Sequence, residues 1–346
     1  MKDVLELLLE RRDLSEQQAE ALLIQLTETP DSPALVGAVL SALRLKGESA
    51  DELRGFARAM RKLARRPAIE PGLAAVDIVG TGGDGSNSLN LSTGAALLVA
   101  ACGLPVIKHG NRAVSSKSGS ADVLESLGMR LPADGAEAGR LFAETGFTFL
   151  FAPHFHPAMK NLAAIRRDLG VRTVFNLLGP LTNPAAPPFA LVGACNLPAA
   201  KLIADAFAGL PIRRVFVVHG AEGWDEPTPV GPFHLFDVQG GVASKRIVEP
   251  LDFGLIRCSA EDLAGGTSIE NAHRLTQIFC GQGGPARDAV MLSAALALET
   301  AGVVSNTMSG LKLCVETLDS GAAADLVTRI VKVSTTEMPA GDRSYG

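Results

Sequence analysis

Aromatic residues are scarce, at 5% of 346 residues, with a single Trp and a single Tyr. Stacking platforms for single-stranded nucleic acid need successive aromatic side chains, so that class is excluded. Positive charge is not in excess either. Lys and Arg number 32 against 37 Asp and Glu, a formal charge of −5, which is not the footprint of a general nucleic-acid binder. The five cysteines, Cys102, Cys195, Cys258, Cys280 and Cys314, are scattered and show no Cys-x-x-Cys spacing. That pattern is neither a disulfide framework nor a zinc site. No stretch of about 18 apolar residues runs without polar breaks, so no membrane span is expected. The first residues carry acids inside their apolar run and do not read as a signal peptide. A reducing, cytoplasmic setting is the expectation.

Core-forming material is plentiful. Hydrophobic residues make up 47% and charged residues 20%, which excludes wholesale disorder. The length suggests about two domains. The first 66 residues read as helices. Ser15 with Gln18 and Ser49 with Glu52 form capping boxes, Ser32 caps a helix between them, and Gly47 ends it. Leu53, Phe56, Ala57, Met60, Leu63 and Ala64 share one helical face, and Arg61, Lys62, Arg65 and Arg66 fall on the polar face, expected to be solvated. Pro67 stops the pattern. From residue 72 short apolar strands alternate with helices: strands at Val76–Val79, Pro105–Lys108, Phe147–Ala152, Phe189–Ala194 and Arg214–Val218, and helices between them. The expectation is an α/β fold with a small all-helical N-terminal domain and a mostly parallel central sheet. The helical domain would span 1–70, joined by helices from about 158–185, and the α/β domain 71–346.

Polar motifs follow the strand ends. Gly80-Thr-Gly-Gly-Asp-Gly85 lets the backbone approach a ligand, and Asn90, Ser92 and Thr93 open a helix whose amides favour an anion. Its spacing is neither the dinucleotide fingerprint nor a P-loop. Asp84 suits a sugar hydroxyl or a metal shell better than bare phosphate. Lys108-His-Gly-Asn-Arg through Ser120 interleaves Lys108, Arg112 and Lys117 with serines, the composition of a polyanion cradle. His109 reads equally as a base, a ligand contact or a structural residue. Asp225 and Glu226 lie past a later strand end. Acids converging on a cationic phosphate loop suggest carboxylate-held Mg²⁺. His154 and His156 lack a third ligand with zinc spacing and read as core or loop residues. Arg166 and Arg167 suit a carboxylate.

These motifs, with His156-Pro-Ala-Met-Lys160 and Arg172-Thr-Val-Phe-Asn-Leu-Leu-Gly-Pro-Leu-Thr-Asn-Pro184, resemble the anthranilate phosphoribosyltransferase family of tryptophan biosynthesis, from the first helices to about Val327. The resemblance implies transfer of phosphoribose from phosphoribosyl pyrophosphate to the amine of anthranilate, with no covalent intermediate, in a homodimer paired through the small domains. It implies that Gly80, Gly83, Asp84, Ser88, Asn90, Ser92, Thr93, Lys108, Ser116 and Ser120 surround phosphoribosyl pyrophosphate. Ser92, Asp225 and Glu226 would hold two Mg²⁺ ions per subunit, and Gly80, Asn111 and Arg166 would contact anthranilate. Lys108, Asp225 and Glu226 would be the catalytic set, with no nucleic-acid or membrane partner. Leu89, Ala113, Trp224, Pro227-Thr-Pro229 and Ser293 depart from the usual pattern. A nucleoside phosphorylase and a nucleic-acid-binding relative are the alternative readings.

Overall fold

The computed structural model describes residues 1–28, 32–113 and 117–336. Four helices open the chain: α1 (Lys2–Leu9), α2 (Glu16–Thr27), α3 (Pro33–Lys46) and α4 (Ala50–Leu63). Both capping boxes form, and Ser32 caps α3. Glu52 does more than cap. Its buried carboxylate accepts the Ser49 amide at 2.8 Å and the Leu14 amide at 2.9 Å, and pairs with Lys46 Nζ at 2.9 Å, tying the α1–α2 and α3–α4 turns together. One expectation for α4 fails. Arg61 is half-buried rather than solvated, its Nε has no partner among the described residues, and burial lowers its pKa to about 10.

The chain then runs β1 (Val76–Gly80), α5 (Leu91–Ala101), β2 (Val106–Gly110), α6 (Ser120–Ser126), α7 (Gly135–Thr145) and β3 (Phe147–Phe151). The turn α8 (Ala152–Phe155), α9 (Lys160–Leu169) and the turn α10 (Phe175–Leu178) follow. Next come β4 (Phe189–Gly193), α11 (Leu197–Ala208), β5 (Arg214–His219) and the strands β6 (Phe233–Gln239) and β7 (Val242–Val248). Helices α12 (Ser268–Phe279), α13 (Pro285–Thr300), α14 (Thr307–Asp319) and α15 (Ala322–Thr335) complete the described chain.

The sheet order is β3-β2-β1-β4-β5-β6-β7. The first five strands in that order are parallel, and β6 and β7 pair antiparallel at the edge. Alternate residues feed two cores because successive side chains of a strand face opposite ways. Leu191, Phe216 and Val218 pack with α5 and α13, whereas Val192, Val215 and Val217 pack with α11 and the N-terminal helices. The order reverses between β1 and β4, the switch point where open α/β sheets form a crevice beyond the carboxyl ends of their strands. Gly80 and Gly193 end those two strands in register. No helix among the described residues is long and apolar enough to cross a membrane.

Candidate active site

At the β1 end, Gly82, Gly83 and Gly85 all adopt left-handed φ, of +65°, +74° and +77°. Side chains other than glycine's are strained there. Gly80 is needed for a different reason. A Cβ at Gly80 would strike the Asp225 carboxylate, and one at Gly193 would strike the Asp225 carbonyl. A Cβ at Gly83 would strike the Arg172 guanidinium. The sequence suggests that these glycines admit a ligand; the structure shows Gly80 and Gly83 admitting neighbouring side chains of the chain itself.

The acid pair meets this loop. Asp225 Oδ2 accepts the Gly82 amide at 2.6 Å, and the Asp225 amide donates to Asp84 Oδ2 at 3.3 Å. Glu226 Oε1 accepts the Ser92 amide at 3.1 Å, in the first turn of α5. Beneath them Lys108 is 2% exposed. Its Nζ donates to the Ile78 carbonyl and lies 3.5 Å from Ser92 Oγ. Burial raises the pKa of Asp225, with repulsion from Asp84 adding to it, and raises that of Glu226, with repulsion from Asp225 adding to it. Burial lowers the pKa of Lys108, against attraction from Asp77, Glu226 and Asp225. With all of Asp84, Asp225 and Glu226 ionised, three carboxylates against one ammonium would leave an excess of negative charge, which the raised pKa values relieve by proton uptake in the free site. A divalent cation would neutralise the same excess. No group of three or more His, Cys, Asp or Glu residues forms a metal cage among the described residues. That donor set suits Mg²⁺, which keeps several waters and takes one or two carboxylates plus substrate phosphates.

The residues on either side of the acid pair are buried. Trp224 is 4% exposed and packs into the core, and its carbonyl accepts the Gly220 amide at 2.8 Å. Pro227, Thr228 and Pro229 are buried. Ser293 is buried too, with no partner for its hydroxyl among the described residues.

The lysine-bearing loop is only partly the expected cradle. Arg112 is spent on Asp122, at 3.0 Å, and on Glu125, at 2.8 Å through Nη2, so it is not a free cation. Asn111 Oδ1 accepts the Arg112 amide at 2.8 Å, and its carbonyl accepts the Ser120 hydroxyl at 3.3 Å. The Asn90 side chain is likewise committed. Its Oδ1 accepts the Ser118 hydroxyl at 3.0 Å and the Asn271 amide at 2.9 Å, and its Nδ2 donates to the Ser118 carbonyl at 3.1 Å. It staples this loop to α5 and α12. Ser88 forms an isolated bridge with Ala264, and Thr93 Oγ1 is buried without a partner among the described residues. Ser116 lies outside the described residues.

A second polar cluster lies behind the β2 end. His109 Nδ1 is 3.3 Å from the Gly179 carbonyl, and the His109 and His156 rings stand 5.1 Å apart, edge to face. Neither Nε2 has a partner among the described residues. Burial pushes His109 down to about 3 and His156 down to about 4, so both are neutral near pH 7. His154 Nδ1 contacts the Pro132 carbonyl at 3.1 Å, a structural role. On α9, Arg167 is exposed and faces Asp168 at 3.9 Å, whereas Arg166 lies over the Phe175 ring at 4.9 Å. Arg166 has no carboxylate within 4.0 Å among the described residues, and burial lowers its pKa. Asn271, Arg61 and Arg172 carry parts of this architecture to which the sequence assigns no site role. The one sequence signal for Arg172 is its position at the head of the long Arg172–Pro184 motif.

Comparison with known proteins agrees with the geometry. The glycosyl transferase family a/b domain matches residues 72–324, and the glycosyl transferase family helical bundle domain matches residues 2–64. An anthranilate phosphoribosyltransferase of Desulforudis audaxviator is 45% identical over 332 residues, 96% of each chain. That of Rhodospirillum rubrum is 44% identical, over 93% of this chain and 92% of its own. The crystal structure of the Thermus thermophilus enzyme superposes with a TM-score of 0.90 at 41% identity, covering 96% of this chain and all of that one. The Saccharomyces cerevisiae enzyme in complex with PRPP and Mg superposes with a TM-score of 0.87 at 28% identity, covering 96% and 97%. With identity this high across both the helical and the α/β parts, the chain belongs to the anthranilate phosphoribosyltransferase family.

Proposed function

We infer that the chain transfers phosphoribose from phosphoribosyl pyrophosphate to the amine of anthranilate, releasing pyrophosphate and giving N-(5-phosphoribosyl)anthranilate, a step of tryptophan biosynthesis. The observation that carries this reading is the meeting of Asp225 and Glu226 with the Gly82 and Ser92 amides beside buried Lys108. Two acids facing a pyrophosphate are repulsive, by roughly 4 kcal/mol per charge pair at about 4 Å and an effective dielectric near 20. A divalent cation reverses that sign. Relatives from yeast are known in complex with PRPP and Mg and with 4-fluoroanthranilate, which supports the same ligands here.

Asp225, Glu226 and Ser92 would hold Mg²⁺, in two ions per subunit, with Asp84 beside them. Bound there, Mg²⁺ supplies electrostatic stabilisation of the leaving pyrophosphate. Lys108 and the first amides of α5 add positive potential on the same side. Gly80, Gly83, Asp84, Ser88, Asn90, Thr93, Ser116 and Ser120 complete the surroundings of phosphoribosyl pyrophosphate, Asn90 by stapling the lysine-bearing loop. Arg166, free of an acid partner among the described residues, would bind the anthranilate carboxylate, and Asn111 and Gly80 would help place the amine for attack on the anomeric carbon. Positioning and electrostatics suffice, because the oxocarbenium-like transition state needs no protein nucleophile.

The helical part would comprise residues 1–70 with helices from about 158–185, and the α/β part 71–346, with the site between them. The exposed apolar side chains Leu9 on α1, 59% exposed, and Leu45 at the end of α3, 77% exposed, support pairing of two subunits through the helical part in a cytoplasmic homodimer. Loss of anthranilate fluorescence, measured with and without phosphoribosyl pyrophosphate and Mg²⁺, tests the reaction. A phosphorolysis assay with nucleosides tests the competing phosphorylase reading, which the named relatives do not support.

A further inference from the structure

Arg172 stands two residues beyond Gly170, the left-handed cap of α9. Its guanidinium makes no ion pair among the described residues. Instead Nη1 donates to the Gly83 carbonyl at 3.0 Å, and Nη2 donates to the Gly82 carbonyl at 3.4 Å and contacts Cys195 Sγ at 3.4 Å. Its own carbonyl accepts Arg44 Nη1, from α3, at 2.7 Å. In a trans peptide the N–H lies opposite the preceding C=O. The carbonyls of Gly82 and Gly83 face the guanidinium, so the amides of Gly83 and Asp84 point away from it. Neither amide has a partner among the described residues. Consecutive glycines in left-handed φ, of +65° and +74°, have many other conformations open to them. Something must select this one.

We propose that Arg172 is the positioning residue of the phosphoribosyl pyrophosphate loop. Its planar fork straps two consecutive carbonyls and so presents the Gly83 and Asp84 amides to the substrate anion. Its unneutralised charge adds positive potential beside the loop. Arg44 braces the strap from the helical part. Arg166 sits on α9 and Arg172 just past its end, so one element would hold the carboxylate-binding arginine and set the loop for the other substrate. This rests on the assignment of the Gly-rich loop to phosphoribosyl pyrophosphate.

The test uses the full-length protein with Arg172→Met, Arg172→Lys and Arg44→Ala. Thermal unfolding monitors folding. Steady-state kinetics separate kcat and the two KM values, and the single tryptophan, buried Trp224 beside Asp225, reports binding of phosphoribosyl pyrophosphate with Mg²⁺ by fluorescence. Arg172→Met should raise KM and Kd for phosphoribosyl pyrophosphate at least tenfold and leave the anthranilate KM within twofold. Arg172→Lys, which keeps the charge but not the fork, should raise the former at least threefold, and Arg44→Ala about twofold. If Arg172→Met fails to fold, Arg172→Lys decides. A folded Arg172 variant with wild-type affinity for phosphoribosyl pyrophosphate, or an equal rise in both KM values, overturns the proposal. Wild-type protein that does not bind phosphoribosyl pyrophosphate overturns the underlying functional reading instead.

Discussion

Asp225 Oδ2 accepts the Gly82 amide at 2.6 Å, across a gap of 143 residues in the chain. This bond brings an acid onto a backbone donor that an anion-binding loop would offer to phosphate. Glu226 does the same to the Ser92 amide. If the loop binds the substrate anion as proposed, the acids and that anion would compete for the same donors, and a cation drawing the carboxylates to itself would release those amides.

The close approach of Asp225 explains two glycines and makes them testable. Gly193→Ala places a methyl group against the Asp225 backbone carbonyl, which cannot rotate away as a side chain can. The variant should fold, because the strain is confined to the acidic loop, yet lose at least tenfold in Mg²⁺-dependent kcat/KM. Circular dichroism and initial rates check this. Wild-type rates would show that the Asp225 position does not matter.

Arg166 has an aromatic face beneath it and no acid partner among the described residues. Arg166→Ala should raise the anthranilate KM by the equivalent of roughly 1.5–3 kcal/mol, the usual worth of a hydrogen bond to a charged group. The KM for phosphoribosyl pyrophosphate should change less than twofold. This pattern is the reverse of that expected for Arg172, so the two arginines can be told apart kinetically.

His156 is neutral when folded, with a pKa of about 4 against about 6.5 unfolded. A depressed pKa of this kind stabilises the folded state fully above pH 6.5, and the contribution is lost as pH falls toward 4. Between pH 7 and pH 5 the loss for this one group is on the order of 2 kcal/mol. His109, depressed to about 3, acts in the same direction. Urea unfolding of wild type at the two pH values should show the drop, and His156→Gln should be less stable at pH 7 but less sensitive to acid. An equal pH slope in both proteins would contradict the buried neutral imidazole.

Glu52→Ala removes a capping acid and leaves the Lys46 side chain, 3% exposed, with Asp13 as its one carboxylate partner among the described residues. Loss of one partner of a buried pair costs about 3–5 kcal/mol. Chemical denaturation should show a loss in that range, and a loss below about 1 kcal/mol would show that Asp13 suffices.

How much of this was legible in the sequence follows from the range of the interactions. The capping boxes at Ser15 and Ser49 and the Ser32 cap form as read, because their partners lie three residues away. The strands after which the glycine, lysine and acid motifs sit are also local patterns, and the parallel order brings those loops to one crevice. The role of Gly80 was not legible, because what excludes a Cβ there is Asp225, which lies past β5 and is brought near only by the pairing of β1 with β4 and of β4 with β5. Asn90 reads as a ligand residue but is satisfied by Ser118 and Asn271, the latter 181 residues away. Arg61 shows the same limit: helical spacing assigns it to the polar face, but that face turns toward Asp77 and the buried histidines of the α/β part. Helix α7 has a local start signal in Asp134, which caps it, but its apolar face becomes evident only against β3 and α15.

The central claim is that Asp225 and Glu226 act through a divalent cation. The most direct test is the initial rate of anthranilate consumption against Mg²⁺ concentration for wild type, Asp225→Asn and Glu226→Gln, at saturating phosphoribosyl pyrophosphate. Both variants should fold, lose at least tenfold in rate and shift to higher Mg²⁺ demand, with Glu226→Gln the more severe because a glutamate can bridge two ions and Glu226 also holds the Ser92 amide. Curves that superimpose on wild type would contradict the account and leave the two acids without a metal to hold.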